Sequence, residues 1–542
     1  MTMLKGKGVS SGYVIGKAFC YSKQQLNVDC KIVNDRAAEL ERFETARLRA
    51  CDELDALHER ALKSMGEGEA EIFEIHRMML DDLDYIDSIR DKISNDGYCS
   101  EYAVYETANI FAENFAAMED NEYMQARAAD VHDISNRVIA ILNGKNTTLA
   151  LNEPSIIVTD DLMPSETVSI DRSMLLGIVT SKGSVNSHTS ILARTLDIPA
   201  VVMVSGTENI VDKDCIIIVA DEGCVYVNPN DDLIIEYQQR IDGENIKRDM
   251  LNELIGKENV TLDGNKSVKI FANIGSPNDI DAVLANDAGG IGLFRSEFLY
   301  LESDSYPDEE KQFKAYKEVL ERMQGREVVI RTLDIGADKK IDYFNLPNED
   351  NPALGFRAIR ICLERPEIFK TQLRALLRAS AFGKLLIMFP MIASEWEVDE
   401  ILEIVEKTKS ELRDSKIVFD ENVKLGIMIE TPAAAVMSDV LAKKVDFFSI
   451  GTNDLTQYTL AADRQNETIE RFADPHNEAV LRLIELVAKN AHAAGIWAGI
   501  CGELAADTSL TERFLKNDID ELSMSPKKIL EVRAKVRSTK LS

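Results

Sequence analysis

Eight short apolar runs, VKIFAN, GIGLFR, VVIRTLD, LLIMFP, LGIMIE, DFFSIG, IWAGIC and DELSM, recur through residues 260–542, each followed by a helical stretch. Runs of this kind, apolar throughout rather than alternating, are what strands buried on both faces require. Parallel strands also need a long crossover between neighbours, usually a helix. Eight such repeats over this length predict a (β/α)8 barrel. The residues that end the strands are polar or reactive: Asn273, Arg295, Arg331, Glu430, Asn453 with Asp454 just beyond the sixth, and Cys501. Barrels of this class carry their active sites at the strand C-termini, so these residues define a candidate site.

The remainder of the chain follows a different grammar. The first proline is Pro154, and residues 31–143 hold Gly66, Gly68 and Gly97 as their only glycines. Leu40, Phe43, Ala50, Leu54, Leu57 and Ala61 recur at three- and four-residue steps, and the stretches Ile72 to Ile93 and Tyr102 to Met118 do the same. This is the apolar stripe of a packed helix. With breaks near Gly66, Gly97 and Asp120, residues 32–144 read as a four-helix bundle. From Ser155 to Val227, β-branched runs (SIIVT, LLGIVT, AVVMV, CIIIVA, VYV) alternate with turns and predict a compact α/β domain. The strand-like YVIGKAFCY near the N-terminus belongs with it, so the bundle is expected as an insertion into a domain made of residues 1–31 and 145–230. A charged helical pattern interrupted by Gly243 marks residues 231–259 as a connector to the barrel of residues 260–542. The expected fold is therefore a multidomain α/β protein.

Composition narrows the function. The chain of 542 residues is 45% hydrophobic, enough for several cores, and its net charge is −31. A field of that sign repels nucleic acid and anionic lipid, so any anionic substrate needs a local basic pocket. With no run of about 18 apolar residues and no signal-peptide core, a cytoplasmic location is expected. The eight cysteines lack CxxC pairing and are expected as free thiols.

At the expected barrel mouth, Arg295 and Arg331 from neighbouring strands, with Arg464 beyond the sixth, suit a phosphate or carboxylate held by charge-assisted hydrogen bonds. Glu430 and Asp454, with no histidine beside them, suit a hard cation such as Mg²⁺, which takes one or two carboxylates plus substrate oxygens. The competing reading makes these acids structural partners of the arginines. Cys501, with an ordinary thiol pKa of about 8.5, is protonated at neutral pH and able to donate a proton; the alternative is a small buried apolar residue. In GSVNSHTSILAR, Ser187 can cap a helix that begins at His188, with Ile191, Leu192 and Thr195 on its buried face. A histidine at a helix N-terminus disfavours its own imidazolium and stabilises an attached anion by about 0.3–1 kcal/mol, a setting for phosphohistidine. The remaining histidines show no zinc spacing, and no phosphate-binding GxxxxGK[ST] loop occurs.

The motifs SHTSILARTLDIPAVV, GGIGLFRSEFLY, VVIRTLDIGADK, NPALGFRAIR, SAFGKLLIMFPMI, ETPAAA, VDFFSIGTNDLTQYTLAADR and CGELA, preceded by RAADVHDI and PSET, together resemble the Enzyme I family of the bacterial phosphoenolpyruvate-dependent sugar phosphotransferase system. The resemblance implies a swivelling phosphohistidine domain, with His188 as the phosphorylated residue. It makes Arg295, Arg331 and Arg464 the binders of phosphoenolpyruvate, Glu430 and Asp454 the Mg²⁺ ligands, Asn453 a substrate contact and Cys501 the acid that protonates the enolate. Arg357 and Lys339 fall in matching motifs as secondary candidates for the phosphate pocket. The same resemblance implies that the bundle binds a small histidine-containing phosphocarrier protein, that the barrel forms a homodimer, and that residues 231–259 hinge. Three departures from the family pattern stand out: Ser184 replaces the second glycine before Ser187–His188, Ala337 replaces a glycine, and FLKND replaces an apolar, glycine-containing stretch. Two alternatives compete. A synthase or dikinase relative would need a nucleotide-binding domain where the helical insert lies, and a regulatory descendant would bind ligand without turnover.

Overall fold

The computed structural model describes all residues except 22–27, 65–66, 118–121, 145–150, 185–186, 197, 337–340 and 542. The chain divides into two compact units, Met1–Ile246 and Lys247–Ser542.

The first unit is built on one sheet whose strands are β1 (Thr2–Lys5), β2 (Lys7–Gly8), β3 (Tyr13–Cys20), β4 (Ser155–Thr159), β5 (Leu175–Thr180), β6 (Ala200–Val202), β7 (Cys215–Val219) and β8 (Cys224–Val227). Their spatial order is β1-β8-β7-β3-β4-β5-β6-β2. β3 pairs in parallel with β4, from Lys17 opposite Ser155 to Cys20 opposite Val158. The chain therefore leaves the sheet after β3 and returns beside it, with the helices between. Ile156, Ile157, Ile178 and Val179 are all buried, so this sheet is covered on both faces and its strands read as unbroken apolar runs.

The intervening helices are α1 (Arg36–Ser64), α2 (Glu67–Leu80), α3 (Leu83–Asp91), α4 (Ser100–Ala116) and α5 (Glu122–Leu142). Phe43, Leu54, Ala61, Phe73, Ile89, Val104 and Val138 form their shared core. The stretch Ile72 to Ile93, read as one helix, is two. Asp82 stops the run by capping α3, its carboxylate accepting from the Tyr85 N–H at 3.0 Å, a capping bond that competes with helix continuation. Two further helices, α6 (Pro164–Ser169) and α7 (His188–Leu196), flank the sheet, and α8 (Asp231–Asn252) follows β8. Gly243 does not interrupt α8. It stands mid-helix, and a β-carbon there would meet nothing within 4 Å.

The second unit is a closed parallel barrel of β9 (Lys269–Ile274), β10 (Ile291–Arg295), β11 (Glu327–Arg331), β12 (Lys384–Phe389), β13 (Lys424–Ile429), β14 (Phe447–Gly451), β15 (Trp497–Cys501) and β16 (Glu521–Met524). β16 closes on β9 with Glu521 opposite Lys269. Ile330, Ile387, Ile427 and Ile450 point outward into the helical layer, whereas Leu293, Val329, Leu386, Met388, Met428 and Phe447 fill the interior. At the strand N-termini Trp497 stacks on Phe447 at 4.7 Å, with the Lys269 ammonium 5.2 Å above the indole. That end is packed shut, which leaves the opposite mouth for a ligand.

The solvated Gly243 yields the first prediction. Gly243→Ala strengthens α8 by about 0.5–1 kcal/mol without touching a neighbour. Amide exchange over residues 238–248 therefore slows about two- to fivefold, as read by hydrogen exchange with mass spectrometry. Unchanged protection there shows that α8 is not limited by this glycine.

Candidate active site

The barrel mouth holds a cavity of about 490 Å³ lined by Arg295, Arg331, Arg357, Arg464, Glu430, Asn453, Asp454 and Cys501. Every barrel residue singled out from the sequence at a strand end lines it except Asn273, whose side chain bonds to Ser523. The volume fits a small metabolite. Lys339 lies outside the described residues, as does Ala337.

The arginines are held differently from one another. Arg331 ends β11, and its guanidinium donates to Glu297 at 2.5 Å and pairs with Asp334 at 2.8 Å. Arg357 donates to the other oxygen of Asp334 at 2.8 Å and to the Tyr458 hydroxyl at 3.1 Å. Asp334 thus clamps two guanidiniums at once. Burial is the largest single influence and pulls both guanidiniums down, but Asp334 together with Glu297 and Glu430 at Arg331, and with Asp454 at Arg357, outweighs it, so both stay charged. The Nε atoms of Arg331 and Arg357 are buried and lack a hydrogen-bond acceptor. Arg464 pairs with Asp454 at 3.2 Å. Arg295, at the exposed end of β10, pairs with none of the described residues and is available to a ligand.

The acids are buried. Glu430 accepts the Met391 N–H at 2.6 Å. Burial first, then repulsion from Asp454 and Asp334, raises its carboxyl to about 8, against the opposing Arg331 charge. A carboxylate so placed gains from a cation. Glu430 and Asp454, both lining the cavity, are the donor set that fits one, with substrate and water oxygens completing the shell. Among the described residues no group of three or more His, Cys, Asp or Glu forms a full metal cage. Asp454 also pairs with Arg464 at 3.2 Å and with Arg357 at 3.6 Å, as the structural-partner reading of that acid expects.

Cys501 ends β15 with its Sγ 3.6 Å from the Ile450 carbonyl. Burial pushes its thiol up to about 11, with Glu430 adding to the rise and Ser449 and Arg331 opposing it. The group is a thiol, and therefore a proton donor. All eight cysteines are free.

His188 belongs to the first unit. It opens α7 at the loop that follows β5, where an α/β sheet places ligands against a helix N-terminus. The Ser190 N–H reaches the Ser187 hydroxyl at 3.4 Å, a long capping bond. The Ser184 carbonyl accepts from the hydroxyls of Ser187 at 2.9 Å and Ser190 at 2.6 Å. Gly183 takes φ +97°, whereas Ser184 is not among the described residues with positive φ, so a serine is tolerated where the family pattern has glycine. The expected buried face of α7 needs correcting. Leu192 packs inward as expected, but Ile191 is 37% exposed and Ala193 is buried in its place; the side chain of Thr195 lies outside what the structure describes.

Sequence reasoning did not single out Glu297 or Asp334. Glu297 reaches Arg331 from the adjacent strand end, a pairing that no spacing displays. Asp334 follows Arg331 by three residues in RTLD, and that local acid was the available signal.

Comparison with known proteins agrees along the whole chain. The families described as PEP-utilising enzyme match in three segments: the N-terminal domain over residues 5–127, the mobile domain over 151–223 and the PEP-binding domain over 249–541. The phosphoenolpyruvate-protein phosphotransferase of Priestia megaterium is 43% identical over 98% of this chain and 93% of its own. That of Staphylococcus carnosus is 44% identical over 99% and 94%, and that of Bacillus subtilis 43% over 99% and 94%.

Asp334→Asn keeps the shape of the double clamp and removes its charge. Both guanidiniums then lose orientation, and the affinity of the cavity for a phosphorylated carboxylate falls about tenfold, or about 1.4 kcal/mol, by isothermal titration. Affinity within twofold of the native chain means that Asp334 does not orient them.

Proposed function

Because the chain belongs to the phosphoenolpyruvate-protein phosphotransferase family, we propose that it moves the phosphoryl group of phosphoenolpyruvate onto its own His188 and then onto a histidine of a small phosphocarrier protein, releasing pyruvate. The observation that carries this reading is the convergence of four arginines, three buried carboxylates and one thiol on a single cavity. We read residues 1–31 with 145–230 as the phosphohistidine domain, 32–144 as the carrier-binding bundle, 231–259 as the hinge and 260–542 as the barrel that binds phosphoenolpyruvate. Relatives of the same name at 43% identity over nearly the full length disfavour a dikinase or a non-catalytic descendant.

Arg295, Arg331, Arg357 and Arg464 bind the phosphate and carboxylate, and Asn453 orients the substrate. Phosphoryl transfer asks mainly for alignment and charge neutralisation, which these guanidiniums supply around the moving group. Glu430 and Asp454 would hold Mg²⁺, which when bound neutralises phosphate charge and orients the substrate oxygens. His188 attacks phosphorus, and the bond from phosphorus to the enol oxygen breaks. Cys501 gives its proton to the methylene carbon of the enolate, forming pyruvate. The acidic surface attracts a basic carrier, and the exposed Met78 and Leu83 of the bundle offer it apolar contacts. Among the described residues no helix is long and apolar enough to cross a membrane. We assign the working form to the cytoplasm, as a dimer through the barrel.

Two variants test the division of labour. His188→Ala abolishes acid-labile phosphorylation while leaving phosphoenolpyruvate binding within about threefold, since the cavity lies wholly in the second unit; loss of both counts against the assignment. A fragment of residues 1–246 should accept phosphate back from a phosphorylated carrier, measured as acid-labile label on His188. A folded fragment that stays unlabelled removes the bundle as the docking element.

A further inference from the structure

Below Cys501 the barrel interior is not uniformly apolar. Along β16, Glu521 and Ser523 both point inward and are buried, and across the ladder Ser523 stands opposite Cys501. A methyl group at Gly292 would overlap both Glu521 Oε1 and Ser523 Oγ, so the two oxygens border one small space that glycine leaves open. A methyl group at Gly499 on β15 would press closely on the stem of Glu521, 3.1 Å from its Cβ. The Ser523 hydroxyl donates to Asn273 Oδ1 at 2.5 Å, which leaves its lone pairs to accept. Glu521 Oε2 is buried without any hydrogen-bond partner. On the other side of Cys501, the buried Ser449 hydroxyl is likewise unpartnered by hydrogen-bond geometry.

An unpaired carboxyl inside a barrel is costly unless it serves a purpose. Three charged groups bear on it: Lys269, its register partner on β9; Glu327, which holds Lys269 at 2.5 Å; and the neighbouring Asp520. Burial first, opposed by Lys269 and assisted by Glu327 and Asp520, raises the Glu521 carboxyl to about 8. It therefore carries a proton at neutral pH.

We propose that Glu521 is a positioning residue that restores the proton of Cys501 after each turnover, passing it through the Ser523 hydroxyl. The inference rests on the reading of Cys501 as the acid. When Cys501 Sγ–H gives its proton to the enolate carbon, the S–H electron pair stays on sulfur. The Ser523 hydroxyl then turns from Asn273 Oδ1 and gives its proton to the thiolate, and Glu521, across the small space beside Gly292, gives its own proton to Ser523 Oγ. The carboxylate left behind regains a proton from water at the strand N-termini, by way of the partly exposed Lys269–Glu327 pair.

The test is rapid-quench measurement of pyruvate from the full chain with phosphoenolpyruvate, Mg²⁺ and excess phosphocarrier. A Glu521→Gln chain starts with its thiol protonated, so its first turnover stays within twofold of the native rate. Later turnovers wait for the thiol and slow by tenfold or more. Ser523→Ala gives the same split, and it decides the matter if Glu521→Gln does not fold. Native-like later turnovers, or an equal loss in first and later turnovers, overturn the relay. Cys501→Ala separates the two readings. It loses the first turnover by about 10²- to 10⁴-fold if Cys501 is the acid, and a retained first turnover instead rejects Cys501 as the acid and the relay with it.

Discussion

Four guanidiniums can line one cavity only if something holds them against mutual repulsion, and here that is a set of buried carboxylates. Asp334 bonds Arg331 and Arg357 through its two oxygens, Glu297 takes a further edge of Arg331, and Asp454 takes Arg464. At the low effective dielectric of a buried site these contacts are strong, and removing one partner leaves a charge exposed to the full desolvation cost. The acids do not cancel the pocket's affinity for anions. Arg295, which pairs with none of the described residues, lines the same cavity and keeps its guanidinium available to a ligand. Orientation is therefore settled before substrate arrives, which is what phosphoryl transfer requires of a protein.

The same carboxylates impose a second constraint. Burial first, then repulsion from Asp454 and Asp334, pushes the Glu430 carboxyl up to about 8. A cation held at Glu430, as proposed, would have to displace the carboxyl proton, which would link its affinity to pH. A cavity rich in arginine would bind anions indiscriminately. On the proposed reading, acids relieved by a divalent cation would favour the anions that bring such a cation with them.

Much of this was legible in the sequence, for reasons that differ by element. The barrel strands are buried on both faces, so their apolar runs cannot be confused with surface strands, and the residues that end them fall at the mouth by topology alone. What escaped was set by contacts between strands. Glu297 and Arg331 meet because β10 and β11 are neighbours, and Glu521, Ser523 and Cys501 align because β15 and β16 pair in register. No one-dimensional pattern displays those relations. The helical insert was misread at Asp82, where a cap overrode an apolar periodicity that continued through it. Ile191 was misplaced because a helix of nine residues has too few turns to fix its buried face from spacing.

Backbone conformation completes the account of how the mouth is held. Met391, whose N–H meets Glu430, has φ 58°, and Ala358, which follows Arg357, has φ 52°. Neither is glycine, so each costs on the order of 1 kcal/mol relative to an ordinary conformation. Both are fixed by structure on either side. The Ala358 N–H bonds to the Ile335 carbonyl and thereby ties the Arg357 loop to the segment carrying Asp334. Met391 and Ile392 are buried in the helical layer beyond β12, and the Thr431 hydroxyl next to Glu430 donates to the Ile392 carbonyl. Relaxing either residue would turn the guanidinium or carboxylate away from the cavity and break these anchors together. The strain is therefore maintained by the rigid barrel beneath, and the loops that carry the chemistry keep one geometry rather than several.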